Sequence, residues 1–474
     1  MPKFFAALLA IWLFLPPQAW CEKPKPPNIV LIFTDDLGWK DVGYQGSDFH
    51  ETPHIDNMAK QGMVFSNAYS CAGNCAPSRA CLLSGQYTPR HHVFAVGSTN
   101  RGPAQQMRLI PIPNKSGLAK ENLTMAAALQ QAGYQTGIFG KWHLSGPEGR
   151  SPAESGFQVV FDSRAQQPNQ KRNIPDDPKG AFSLTQAACE FMTKNREKPF
   201  FCYLAHHAIH SALEAKPDTL EKFRKKTPGK QHNSPIYAAC LYDLDTTVGL
   251  VLAKLKELKI EDNTLVIFTS DNGGTQQSSQ EPLRGSKGGY YEGGIREPFI
   301  AYWPGKILAG QQCAVPVNFV DLYPTFLAAA GAQTPKNKQL DGTNILPLLQ
   351  GEKNFPVRPI FWHFPGYLDT PVIRGRDPVF RTRPVSVVRK GDWKLHLYHE
   401  EWVLDGGFDK RVTNNSLELY HISNDIGERT NLVGKEPEKR DELLKDLLTW
   451  WDAIKAPIPS QVNPKFGKKG KNKN

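Results

Sequence analysis

The chain carries no internal repeat, so a solenoid or a propeller array is not its organising plan. Beyond the first fifteen residues no segment reads as membrane-spanning, and the mature protein is expected to be soluble, without a membrane span. An acidic excess is also missing. Net charge is +11, of which Lys3, Lys465, Lys468, Lys469, Lys471 and Lys473 carry six, leaving a mildly basic body. That suits an anionic partner without specifying one. The lysine-rich tail, residues 458–474, has the composition of a nucleic-acid arm. In an exported chain it reads as a disordered, solvated terminus, and no nucleic-acid partner is expected.

What is present begins at the N-terminus. Lys3, the apolar run Phe4 to Leu15 and the break at Pro16-Pro17 read as a secretory signal peptide over residues 1–21, with Ala19 and Cys21 before a cut at Glu22. The run is too short to span a bilayer comfortably. A periplasmic or secreted destination is therefore expected. There 474 residues, 40% of them hydrophobic, suffice for a large core and more than one structural unit. Of eight cysteines, Cys21 leaves with the signal and Cys75 is assigned to chemistry below. The other six, Cys71, Cys81, Cys189, Cys202, Cys240 and Cys313, are open to disulfides or to buried free thiols.

Four segments share one design, an apolar strand-like run ending in polar groups. They are residues 28–34 before Asp35-Asp36, 136–140 before Lys141-Trp142-His143, 200–205 before His206, His207 and His210, and 264–269 before Ser270-Asp271-Asn272. Continuous apolar runs fit parallel strands covered on both faces. Helical patterns lie between them, over 123–132, 181–195 and 237–258. This alternation predicts an α/β fold, a large mostly parallel sheet sandwiched by helices. In such sheets ligands bind beyond the carboxyl ends of the strands, so the four polar clusters are expected to meet at one edge. A catalytic domain is expected over 22–354. A smaller C-terminal α+β unit is expected over 355–457, with strands at 385–389, 393–398 and 417–421 and a helix at 437–454.

Cys75 lies in Cys75-Ala76-Pro77-Ser78-Arg79, where the proline fits a first helical turn. The positive end of that helix favours an anion, a thiolate or a sulfate. Arg79 adds a forked cation suited to tetrahedral oxyanions. Asp35, Asp36, Asp271 and Asn272 offer oxygen ligands of the kind Ca²⁺ or Mg²⁺ takes. Each of these features alone reads as an ordinary turn or helix start; together, at two strand ends of matching design, they read as a metal site.

The chain here resembles the formylglycine-dependent sulfatases of the alkaline phosphatase superfamily. Their signature, Cys-x-Pro-Ser-Arg followed by Leu-[Ser/Thr]-Gly, is matched by Cys75 to Gly85. Further matches are Thr34 to Gly38, Gly140 to His143, Ser270 to Gly273, and Lys287 with Tyr291 to Pro298, in consistent order across roughly residues 28 to 350. The resemblance implies an alkaline phosphatase-like fold, with Cys75 oxidised by a formylglycine-generating maturation enzyme to formylglycine (3-oxoalanine). The hydrated aldehyde then attacks sulfur with one hydroxyl, and the other expels sulfate. It implies one Ca²⁺ held by Asp35, Asp36, Asp271, Asn272 and the group derived from Cys75. It makes Lys141 and Lys287 clamps on sulfate, His143 the partner of the formylglycine hydroxyl, and His210 the group near the leaving oxygen, with Lys287 as its rival for that last role. His207 remains an alternative to His210, because the proline many relatives carry two residues after the catalytic histidine is Ala212 here. Arg296 and Glu297 are expected to pair and brace the Lys287 loop. His91 and His92 read as surface residues.

The expected reaction is hydrolysis of a sulfate monoester on a sulfated saccharide or small molecule, with aryl sulfates as accessible substitutes. The loop-rich insertions after Gly85 and over residues 374–383 are expected to shape the substrate pocket, and their arginines suggest an anionic ligand. Two other readings compete: a phosphodiester or phosphonate hydrolase of the same superfamily, and a non-catalytic binder of sulfated glycans.

Overall fold

Side chains alternate along the first strand, Asn28–Thr34. Ile29, Leu31 and Phe33 enter one apolar core, and Val30 and Ile32 enter another on the opposite face. The same alternation divides Phe201, Tyr203 and Ala205 from Phe200, Cys202 and Leu204, and Leu265 and Ile267 from Val266 and Phe268. These runs are apolar at every position because both faces of the sheet are covered. The computed structural model describes residues 25–147, 149–162 and 174–468. The expected signal peptide and the last tail lysines lie outside the described residues.

The large sheet has eight strands in the order Val159–Phe161, Gln135–Gly140, Phe200–Ala205, Asn28–Thr34, Thr264–Ser270, Phe299–Tyr302, Met63–Phe65 and Gln311–Cys313. The four strands expected from sequence are neighbours at its centre, and all pair in parallel. Phe299–Tyr302 runs against both its neighbours, so the sheet is mixed. Helices Met125–Gln131, Ala181–Lys194 and Pro235–Glu257 match the three helical patterns to within two residues at each end. Thr124 and Ser234 cap two of them by accepting from Ala127 and Tyr237 main-chain N–H groups.

Contrary to the expectation from sequence, Pro235–Glu257 is long and apolar enough to cross a bilayer by length and composition. Here it packs as a core helix. Leu241, Leu244, Val248, Val251 and Leu255 join the core behind the sheet. Asp243 and Asp245 on the same helix accept main-chain N–H groups of Lys216, His54 and Ile55.

The smaller unit is a four-stranded antiparallel sheet, Pro359–Phe364, Val385–Lys390, Trp393–Tyr398 and Leu417–His421. The helix Pro437–Ile454 starts on its proline. Its Leu443, Leu444 and Leu447 join Val388, Leu395 and Leu397 in a core continuous with that of the large sheet. Residues 458–468 depart from the expected disordered tail. Ile110 N–H donates to Gln461 O (2.8 Å), Asn463 N–H to Arg108 O (2.9 Å) and Gly467 N–H to Gln105 O (2.9 Å). The Asn463 amide also donates to Ala104 and Met107 carbonyls, so residues 461–467 are stitched to the loop 104–110. Among the described residues all seven cysteines are free thiols, six of them buried.

Candidate active site

The four central strands end side by side, and main-chain hydrogen bonds fix the residues just beyond them. Lys141 N–H donates to Ala205 O (2.8 Å), His206 N–H to Phe33 O (3.0 Å), and Asp271 N–H to Thr34 O (3.1 Å). Gly140 makes the first of these turns possible. Its φ is +108°, and a Cβ there would meet Ala205 O at 2.1 Å. Asp36 and His143 also hold positive φ, 68° and 63°, a conformation that costs a side-chain-bearing residue roughly 1–2 kcal/mol. At Asp36 the main-chain N–H donates to Asp271 Oδ1 (3.2 Å), tying the two strand ends together.

Cys75 opens the helix Cys75–Ser84, which is buried along its whole length. Ligand-capable atoms of Asp35, Asp36, Cys75 and Asp271 all lie within 4.8 Å of one another. Around this group stand the two expected lysines. Lys141 Nζ is 2.6 Å from Asp35 Oδ2, and Lys287 Nζ is 2.5 Å from Asp36 Oδ1 and 3.1 Å from Cys75 Sγ. Asn272 Nδ2 donates to Asp36 Oδ1 (2.8 Å). Asp35 Oδ1 and Asn272 Oδ1 are buried with no hydrogen-bond donor among the described residues. Two unpartnered oxygens beside three carboxylates fit a hard divalent cation.

The electrostatics refine the expectations. Burial pushes the Asp35 carboxyl up, but Lys141, Arg79, Lys287 and His210 outweigh it and hold it well below the usual carboxylate range. Burial works against the charge on Lys287, and Cys75, Asp36, Asp35 and Asp271 reverse it, raising its pKa. Burial and Asp35 push Asp271 up, with Arg79 and Lys141 opposing. The Cys75 thiol is pushed far up by burial and then by Asp271. The helix end does not make it a thiolate, because desolvation and the carboxylates oppose charge there.

Arg79 is placed differently from the expected oxyanion clamp. Its side chain is wholly buried. Nε and Nη2 both donate to Asp271 Oδ2 (3.0 and 2.8 Å), and Nη1 donates to Lys141 O (3.0 Å) and the Tyr203 hydroxyl (3.4 Å). The fork grips a carboxylate of the site and orients it. Tyr203, which sequence reasoning did not single out, completes this shell; a tyrosine within an apolar strand carries no local signal.

The histidines separate by their partners. His206 is buried against Thr247 Oγ1 (3.3 Å) on the far side of the strand end. His207 Nε2 lies 3.0 Å from Asp162 Oδ1. His210 Nε2 lies 3.7 Å from Asp36 Oδ2 and lines the cavity beside the carboxylate cluster. His143 is lowered to about 3 by burial and by Lys141 and Arg79, and is neutral at ordinary pH. Its buried Nδ1 has no partner among the described residues.

Two lesser expectations are corrected. Arg296 pairs with Glu292 (2.9 Å), not Glu297, because the helical turn after Tyr291 brings residues 292 and 296 together. Glu297 is buried, and desolvation raises its carboxyl well above the usual range. Glu292 further accepts from Lys394 (2.9 Å) and Tyr69 (2.8 Å), and Lys394 reaches Glu428 (2.9 Å), so a buried ionic group ties the small sheet to the turn after Lys287. His91 is interior, near Cys81 Sγ (3.4 Å), and desolvation lowers it to about 3.

A family profile described as Sulfatase matches residues 27–332, and one described as N-sulphoglucosamine sulphohydrolase, C-terminal, matches residues 286–451. The chain belongs to the sulfatase family. This sulfatase is 34% identical to the N-acetylgalactosamine-6-sulfatase of Homo sapiens, over 92% of the chain and 87% of the relative. It is 32% identical to a protein named Sulfatase from Formosa agariphila, covering 92% and 91%. Among solved structures, that of Ps i-CgsB superposes with a TM-score of 0.71 at 29% identity, covering 94% and 96%. A phosphonate monoester hydrolase of Agrobacterium radiobacter, at 19% identity and a TM-score of 0.64, shares the fold. The sulfatase is therefore a sulfuric ester hydrolase on an alkaline phosphatase-like fold, and its site is of the kind that works with a formylglycine and a divalent metal.

Proposed function

We propose that this enzyme removes sulfate from a sulfated saccharide, using Cys75 in its formylglycine form and one Ca²⁺ held by Asp35, Asp36, Asp271 and Asn272. The supporting observation is the meeting of Cys75 with the oxygen ligands: atoms of residues 35, 36, 75 and 271 share one cluster, and Asp35 Oδ1 and Asn272 Oδ1 lack donors. The formylglycine hydrate supplies a nucleophilic oxygen, and the cation supplies positive charge beside it.

The chain's own residues do the rest. Arg79 holds Asp271 in place through two hydrogen bonds. Lys141 and Lys287 sit 2.6 and 2.5 Å from Asp35 and Asp36, close enough to present ammonium charge to sulfate oxygens as the ester is cleaved. His143, neutral and with an unpartnered Nδ1, is suited to hold the nucleophilic hydroxyl by accepting a hydrogen bond from it. His210 lies on the open side beside Asp36, where it can donate a proton to the departing alkoxide. The saccharide class is supported by the relatives' printed names and by the solved complex of Ps i-CgsB with k-i-k-neocarrahexaose.

Hydrolysis of 4-nitrophenyl sulfate, compared with a bis-4-nitrophenyl phosphodiester before and after chelation, tests this reading. Turnover of the sulfate is expected to dominate, to fall at least about 100-fold on chelation, and to return with Ca²⁺. Dominance of the phosphodiester, or full activity in the chelated protein, would contradict it. We also propose export through the signal peptide of residues 1–21. N-terminal sequencing of the mature protein is expected to start at Glu22, and an intact Met1 would remove that part of the reading.

A further inference from the structure

The arginines of residues 374–383 are not equivalent. Arg376 pairs with Glu401 (2.9 Å) and Glu418 (3.2 Å), and Arg383 with Glu400 (2.8 Å) and Asp377. Arg374 donates to the Leu283 carbonyl and lies 3.7 Å from Glu281. These three brace the protein itself. Arg381 has no carboxylate within salt-bridge distance among the described residues. Its hydrogen bonds to described residues all go to main-chain carbonyls, Lys287 O from Nη1 (3.2 Å) and Thr370 O from Nε (3.4 Å), and Nη2 donates to no described group.

Its mount is built. Arg381 is the middle residue of the strand Phe380–Thr382, paired with Leu368–Asp369. Phe380 and Thr382 are buried, so alternation sends Arg381 to the other face. There it crosses Gly288, whose absent Cβ would lie 2.2 Å from Arg381 Cδ. The guanidinium reaches a cavity of about 410 Å³ whose walls include Asp36, His210, Lys287 and Thr370. The neighbouring Arg101 is neutralised by Asp369 at 2.7 Å. A partly desolvated guanidinium with an open donor, mounted across a substrate-sized cavity from the reacting groups, lacks only an anion.

We infer that Arg381 is a specificity-determining residue that binds a second anionic group of the substrate, a sulfate or a carboxylate, beside the ester that is cleaved. This rests on the sulfatase reading above. Lys141 and Lys287, held against Asp35 and Asp36, serve the scissile group. Arg381, with its planar fork, serves another.

Calorimetric titration of the full-length, Ca²⁺-loaded Cys75→Ala protein tests this without turnover. The ligands are two scaffold-matched pairs, N-acetylglucosamine 6-sulfate with glucosamine-2-N,6-O-disulfate and N-acetylgalactosamine 6-sulfate with its 4,6-disulfate, and a uronate-linked N-acetylgalactosamine 6-sulfate. On at least one scaffold the dianion is expected to bind about tenfold tighter than its monosulfated partner, the gain expected of one charge-assisted contact. Addition of Arg381→Gln is expected to bring that ratio close to one, and Arg381→Lys to keep part of it. Preference for the uronate over the disulfates identifies a carboxylate, and the reverse identifies a sulfate. No gain over the matched monosulfate for either disulfate or for the uronate with Arg381 intact, an undiminished gain in Arg381→Gln, or no saccharide binding at all would overturn the inference. Failure of the sulfatase reading shows separately, as absent aryl-sulfate turnover in the protein with Cys75.

Discussion

Cys75→Ala loses turnover of 4-nitrophenyl sulfate by about 10⁴-fold or more, the scale on which loss of a covalent nucleophile is felt, while the protein stays folded. Cys75 is the first residue of a buried helix, and its sulfur receives one hydrogen bond, from Lys287. Alanine is the best helix former and leaves no new buried polar atom, so its effect is chemical rather than structural. Cys75→Ser is the sharper comparison. One hydroxyl can attack sulfur and release the alcohol, but serine has no second hydroxyl on the same carbon whose deprotonation expels sulfate. At most one equivalent of 4-nitrophenol is expected per enzyme, followed by arrest. Sustained turnover by either variant in a protein free of wild-type enzyme removes Cys75 from the nucleophile's position. Stopped assays against enzyme concentration, with circular dichroism for the fold, decide this.

Asp271→Ala acts on both stability and rate. Asp271 and Arg79 are fully buried, and one carboxylate oxygen takes two guanidinium N–H groups. Removing the acid strands a charged guanidinium with only Lys141 O and the Tyr203 hydroxyl as acceptors. Breaking one side of such a buried pair costs about 3–5 kcal/mol, far more than a surface pair would. The same change removes a proposed Ca²⁺ ligand and the acceptor of the Asp36 N–H, which holds Asp36 at its positive φ. Activity is expected to fall by at least about 10³-fold. The denaturation midpoint is expected to drop, and the response of that midpoint to added Ca²⁺ to vanish. A variant of wild-type stability whose midpoint still rises with Ca²⁺ would show that Asp271 neither anchors Arg79 nor binds the ion.

The central sheet was legible because its strands are local, continuous and apolar, and because their polar ends repeat one design. Asp35, Lys141, His210 and Asp271 could be placed at one edge from that pattern alone. The orientation of Phe299–Tyr302 was not legible, since a short strand reads the same in either direction and its crossover sets which applies. The first strand of the small sheet, Pro359–Phe364, was hidden by prolines on both sides, and its partner lies some twenty residues on. At the site, residue types were readable and aim was not. Arg79 turns to a carboxylate 192 positions away in sequence. His207 turns to Asp162, 45 positions before it, while His210 turns to Asp36. Arg381 stood among four similar arginines, and only knowledge of which three already had acidic partners set it apart.

Mass spectrometry of the proteolytic fragment containing Cys75, from protein produced in its native host, bears most directly on the account. A fragment lighter than the encoded one by roughly 18 Da, as replacement of SH and H by a carbonyl oxygen requires, is the predicted result. A fragment carrying an intact thiol in preparations that cleave aryl sulfates would contradict it.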